Sequence, residues 1–182
     1  APESGQGSGS HNISDLWVYV NGQFQGAYPA ESSIPIMSRG ESAQINIFAG
    51  IKNNGISTTR IFTNFYDILQ IDTLLPGGSS LTSPLTFRYN SNVNFAWIED
   101  FDGGTGFEVR KSDYSDTTFS LAKPNDSFEN RSLELGLLAP HRVAELESAG
   151  EGFKLPSGNS NVYLELEYKC NHVFSVGLIG DD

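Results

Sequence analysis

Apolar and polar residues alternate in short runs along this chain, and clusters of Gly, Pro, Asn, Asp and Ser interrupt the runs about every ten positions. No window sustains a helical apolar period, so the pattern predicts strands throughout. The strongest signal is 13–20, then Asn21-Gly22, then 23–28. Asn-Gly supplies the two positive-φ residues of a type I′ hairpin turn. That turn sets Val20 opposite Gln23, Tyr19 opposite Phe24, Val18 opposite Gln25 and Trp17 opposite Gly26, whose missing side chain leaves room for the Trp17 ring. One face then carries Leu16, Val18, Val20 and Ala27, and the other Trp17, Tyr19, Phe24 and Tyr28. Further strands are expected at 33–37 (an edge, because of Pro35), 42–48, 59–69 and 84–89. After the polar interruption Asn90-Ser91-Asn92, strands are expected at 93–98, 106–109, 117–121, 132–138, 142–147, 162–169 and 173–179. In 162–169, Val162, Leu164, Leu166 and Tyr168 alternate with Tyr163, Glu165, Glu167 and Lys169, the pattern of a strand with one face inward. The expected architecture is all-β: a flexible tether at 1–11, a small antiparallel β-sandwich at 12–90, and a second, jelly-roll-like sandwich at 91–182. That second half is short for a jelly roll and stops abruptly at Gly180-Asp181-Asp182, so the chain is expected to be a fragment or to lack its last strands.

Composition narrows the setting. The 182 residues are enough for a sizeable core, burying about 70% of the unfolded surface. Aromatics at 12% and charged residues at 18% argue for a folded chain. A net charge of −11 argues against non-specific binding to nucleic acid or to an anionic membrane. The lone Cys170 precludes an intrachain disulfide, and His11, His141 and His172 show no zinc-ligand spacing. Cys170 shares strand parity with Tyr168 and reads as a small buried residue. No apolar run reaches the ~20 residues that span a bilayer as a helix.

Residues 13–28, ISDLWVYVNGQFQGAY, resemble the opening hairpin of PEGA-type surface domains, an Ig-like β-sandwich, with Ala27-Tyr28-Pro29 where those domains usually have Thr-Pro. From Trp97 onward, WIEDFDGGTGFE, FENRSLELGLL and VYLELEYKC resemble jelly-roll modules of secreted and cell-surface proteins, carbohydrate-binding modules and concanavalin-like lectin domains among them. Taken whole, the chain is similar to two-domain surface lipoproteins of Gram-negative bacteria. That resemblance implies an exported protein of the outer membrane or cell surface, held by a lipid anchor absent from this chain. Its implied partners are a glycan or another envelope protein, and it implies no settled activity.

Candidate chemistry gathers in IEDFDGG. Glu99, Asp100 and Asp102 offer acceptors for sugar hydroxyls, and Phe107 or Tyr114 offers a stacking plane; loops 101–106 and 122–131 would carry the site. Trp97 shares parity with Val93 and Phe95 and reads as core, which leaves Tyr114, in the polar run 111–116, as the exposed ring. Asp100 and Asp102 before Gly103 are part of a calcium loop, the one cofactor implied, but Gly104 and Thr105 supply no further ligands and a solvated acidic turn is the simpler reading. A glycosidase needs paired carboxyls. Glu99-Asp100-Phe101-Asp102 departs from the Glu-x-Asp-x-x-Glu of concanavalin-like glucanases, and Glu165 with Glu167 reads as a solvated strand face. There is no GxSxG, and Pro76-Gly77-Gly78-Ser79-Ser80 lacks the lysine of a phosphate loop. The aromatic hairpin face has two readings, a platform for pyranose rings or a covered surface, and the apolar character of both faces favours cover. The expectation is therefore a non-enzymatic surface binding or accessory module, glycan-binding in its leading form, with no catalytic residue. The alternatives are a glycoside hydrolase and a structural subunit of an envelope complex.

Overall fold

The opening hairpin pairs β1 (Asp15–Val20) with β2 (Gln23–Pro29) in the computed structural model, which describes residues 5–110, 117–122, 131–137, 139–158 and 160–180. Asn21 and Gly22 sit at φ 49° and 77°, the two positive-φ positions a type I′ turn demands. Val20 faces Gln23 and Tyr19 faces Phe24, but the register then shifts, and Val18 faces Gly26, Trp17 faces Ala27 and Leu16 faces Tyr28. Gln25 is the extra residue of a bulge. One inserted residue in a period-two pattern reverses every face beyond it. Tyr28 consequently joins the core side, where it packs beside the buried aliphatics. Gly26 makes room for Tyr28, whose ring lies 2.9 Å from where a Cβ would stand; the space for Trp17 is provided by Gly50, where the corresponding distance is 2.8 Å.

β3 (Ser42–Lys52) is long enough to serve three neighbours. It pairs with β1 through its middle, from Ile45 to Gly50, with β5 (Leu69–Leu74) at its start and with β4 (Arg60–Phe62) at its end. The five strands form one antiparallel sheet in the order β2-β1-β3-β4, with β5 also on β3. The single strand expected at 59–69 is broken. The buried Thr63 hydroxyl accepts the Phe65 amide at 3.1 Å, and the chain turns before β5 begins. Leu16, Val18, Val20, Ala43, Ile45, Ile47 and Leu75 form the core against one face of this sheet, each large aliphatic contributing about 1.5–3 kcal/mol. Ile34, Ile36 and Phe87 pack on that core from the stretches expected as strands 33–37 and 84–89, yet neither stretch forms a strand. Pro35 lacks the amide a ladder needs. A bridge from Tyr66 to Tyr89, with rings stacked at 5.0 Å, holds the second stretch in place.

The chain divides into two compact units, Ala1–Phe95 and Ala96–Asp182. In the second, β6 (Phe107–Val109) pairs with β9 (Leu146–Ser148), and β7 (Phe119–Ala122) pairs with β8 (Ser132–Leu135), all antiparallel. The stretches 93–98, 162–169 and 173–179, expected as strands, form none among the described residues. Alternation makes a segment competent for a ladder; it does not supply the partner strand. Val162, Leu164, Leu166 and Tyr168 are exposed, and so is Cys170, against the expectation of a buried thiol. The protein is all-β, built of several small antiparallel sheets with a sandwich-like core. Its described helical structure is one short 3-10 turn at Asn53–Gly55, and no helix among the described residues is long and apolar enough to cross a membrane.

Candidate functional site

The face of the five-stranded sheet turned away from the core is chemically divided. Strand parity sends Leu16, Val18 and Val20 inward and Asp15, Trp17 and Tyr19 outward. Cross-strand pairing then fixes the outward neighbours: Phe48 beside Trp17, Asn46 beside Tyr19, Phe62 beside Gly50, Gln70 beside Asn46 and Asp72 beside Gln44.

Five rings close on one another. Centroids lie 5.5 Å apart for Trp17 and Phe24, 5.2 Å for Phe24 and Tyr19, 5.3 Å for Tyr19 and Phe48, 5.2 Å for Phe48 and Phe62, and 5.4 Å for Phe62 and Trp17. The contacts are tilted or edge-on, the arrangement ring quadrupoles favour, at about 0.5–1.5 kcal/mol per pair. This cluster stays accessible: Phe24 is 51% and Phe62 38% exposed, and Trp17, Tyr19 and Phe48 are half-buried. The Trp17 indole nitrogen is buried without a hydrogen-bond partner, because the ring lies across the bare backbone of Gly50.

Next to the rings stands a polar ladder. Asn46 Nδ2 donates to Gln44 Oε1 at 3.5 Å, and Gln70 Nε2 donates to Asp72 Oδ2 at 2.9 Å. Beyond them the surface dips into a depression of about 550 Å³, lined by Asn21, Ser42, Gln44, Asp72, Thr73 and Leu74. The hairpin turn is fastened to its rim: the Gln44 amide donates to Asn21 Oδ1, and the Asn21 amide donates to the Gln44 carbonyl, each at 2.9 Å. At the opposite end of the face, Asp15, only 1% exposed, accepts from the Ser14 hydroxyl at 2.7 Å and pairs with Arg60 at 3.3 Å. Lys52 is the cross-strand neighbour of Arg60. The charges on this face thus balance, Asp15 and Asp72 against Lys52 and Arg60, within a chain of net charge −11.

The residues singled out in the second unit are arranged differently. Glu99 accepts the Phe101 amide at 2.9 Å and also the Gly106 amide, so its carboxylate closes the turn between them. Asp100 Oδ1 accepts the Asp102 amide at 3.0 Å, and both of these aspartates are exposed. No group of three or more His, Cys, Asp or Glu side chains that could hold a metal ion occurs among the described residues. Phe107 meets Trp97 edge-on at 5.1 Å and Phe101 at 6.2 Å, and Trp97 stacks on Phe153 at 5.5 Å. Trp97, expected in the core, is half-buried in this stack. Glu165 and Glu167 are exposed. Tyr114 and most of loop 122–131 lie outside the described residues.

Sequence reasoning found Trp17, Tyr19 and Phe24 but missed Phe48, Phe62 and the whole polar ladder. Gln44 and Asn46 were visible as the outward positions between Ala43, Ile45 and Ile47. Their partners Gln70 and Asp72 were hidden, because the strand expected to end at Leu69 in fact begins there. No protein-family model, curated protein or solved structure matches the chain.

Proposed function

We propose that this chain is a non-enzymatic binding module that holds a glycan on the outer face of its five-stranded sheet. One observation carries the reading: an accessible ring cluster and a ladder of three amides, Gln44, Asn46 and Gln70, beside the Asp72 carboxylate share one open face, in register. A pyranose has an apolar C–H face and a rim of hydroxyls. Rings accommodate the first, and amides, which both donate and accept, accommodate the second. A hydrolase reading has less support, because Asp72 stands among amides and Glu99 is engaged by two backbone amides. The surface-lipoprotein resemblance and the Gly/Ser-rich residues 1–11 support an exported, tethered location, with a polysaccharide or glycosylated surface as the partner.

The test is a glycan array followed by calorimetry on the variants Phe24→Ala and Gln44→Ala, both at exposed positions. Each should weaken binding about tenfold, since a lost ring or hydrogen bond is worth about 1–1.5 kcal/mol. Gln44→Ala should leave the melting temperature close to that of the parent chain, and Phe24→Ala, which also gives up the contacts with Trp17 and Tyr19, should lower it by a few degrees while the chain stays folded. The pair Tyr114→Ala with Asp102→Ala separates this face from the 99–107 turn: loss of binding there, with Phe24→Ala silent, moves the site to the second unit. No glycan bound at millimolar concentration removes the reading and leaves an accessory subunit, to be sought by co-purification with envelope proteins.

A further inference from the structure

Resting on that reading, we infer that the ligand is an internal run of two or more sugars of a neutral polysaccharide, laid along β3 from the ring cluster to the depression at Gln44 and Asp72. Two features of the face lead there. The first is length. Phe48, within the ring cluster, and Gln44, on the rim of the depression, are separated by about 13 Å of strand, more than one pyranose ring can cover. Asn46 lies between them on the same face, so polar contacts continue from one end to the other. A single terminal sugar would use one end and leave the other idle.

The second feature is charge. Between Phe48 and Gln44 the charge on the face is the Asp72 carboxylate; the cations Arg60 and Lys52 both lie past the rings, at the far end of the face, and Arg60 is engaged by Asp15. A uronate or sulfate entering the depression would meet Asp72 at short range, where screening is weak, and would approach a chain of net charge −11. A neutral sugar meets no such opposition, and its hydroxyls can donate to Asp72.

The full chain should be titrated with neutral β-linked gluco- and xylo-oligosaccharides from monosaccharide to hexasaccharide, and with oligogalacturonates of matched length. Affinity should rise at least tenfold from monosaccharide to tetrasaccharide and then level. The oligogalacturonates should bind at least tenfold more weakly than neutral oligomers of equal length, and Asp72→Asn should narrow that gap. Phe24→Ala and Gln44→Ala should each weaken the tetrasaccharide, because it reaches both ends. A flat length series, or oligogalacturonates bound as tightly as neutral chains, overturns this inference while glycan binding stands. Binding of none of these sugars, where the array shows another glycan on the same face, overturns it as well; silence of the whole array overturns the underlying reading.

Discussion

Gly50 shows how a single residue without a side chain sets the chemistry of a face. The Trp17 indole lies 2.8 Å from where a Cβ would stand, and it is a ring held on both sides, not a flexible tip. Gly50→Ala should therefore cost about 1–3 kcal/mol in denaturant unfolding and shift the Trp17 emission as the ring is pushed outward. Gly22 is a contrasting case. It sits at φ 77° with nothing within 4 Å, so Gly22→Ala should cost about 1–2 kcal/mol through backbone strain alone, with the emission unchanged. Equal emission shifts in the two variants would contradict this assignment of roles. The difference also marks what a sequence can disclose. The demand for positive φ at Asn21-Gly22 is local and is written in adjacent residues. The demand at Gly50 depends on which residue crosses it from β1, and no spacing along the chain reveals that. The same holds for Phe62, which enters the ring cluster only because β4 pairs beside Gly50.

At the scale of elements, the bulge at Gln25 decides which side of the sheet receives Tyr28. Deleting Gln25 would leave Phe24 outward and Tyr28 inward, because the bulged residue has no cross-strand partner. Such a deletion should fold with a stability change under about 1 kcal/mol, whereas Tyr28→Ala, which removes the ring that the bulge turns inward, should cost about 2–3 kcal/mol of core burial. Thermal melts of the two variants decide the point, and equal losses would refute it. Bulges of this kind are poorly legible beforehand. The Asn-Gly turn correctly set the first two pairs, Val20 with Gln23 and Tyr19 with Phe24, and periodicity alone carried the wrong register past them. Strand competence was readable at 42–48, 106–109, 117–121 and 132–138, where β3, β6, β7 and β8 form. It misled at 33–37, 84–89 and 93–98, because alternation reports which side of a segment is apolar and says nothing of a hydrogen-bonding neighbour.

At the scale of the molecule, every residue of the main core cluster falls within Ala1–Phe95. A fragment spanning residues 5–95 should thus unfold cooperatively and show the Trp17 emission that the full chain shows when it carries Trp97→Phe. A broad, non-cooperative melt would show that this unit depends on the rest of the chain. The all-β class was legible from turn spacing and the absence of helical periods, while the open polar-and-aromatic face was not, since it is assembled from five strands whose order had to be known first. The exposed stretch 162–169 has a consequence for how this protein behaves in concentrated solution. Exposed Val162, Leu164, Leu166 and Tyr168, alternating along a segment outside the described strands, make it a template for intermolecular cross-β growth. The charges of Glu165, Glu167 and Lys169, set between Leu164, Leu166 and Tyr168, act as gatekeepers. Residues that read most easily as the solvated side of a strand thereby have a second role, keeping neighbouring molecules from zipping together where the protein is concentrated.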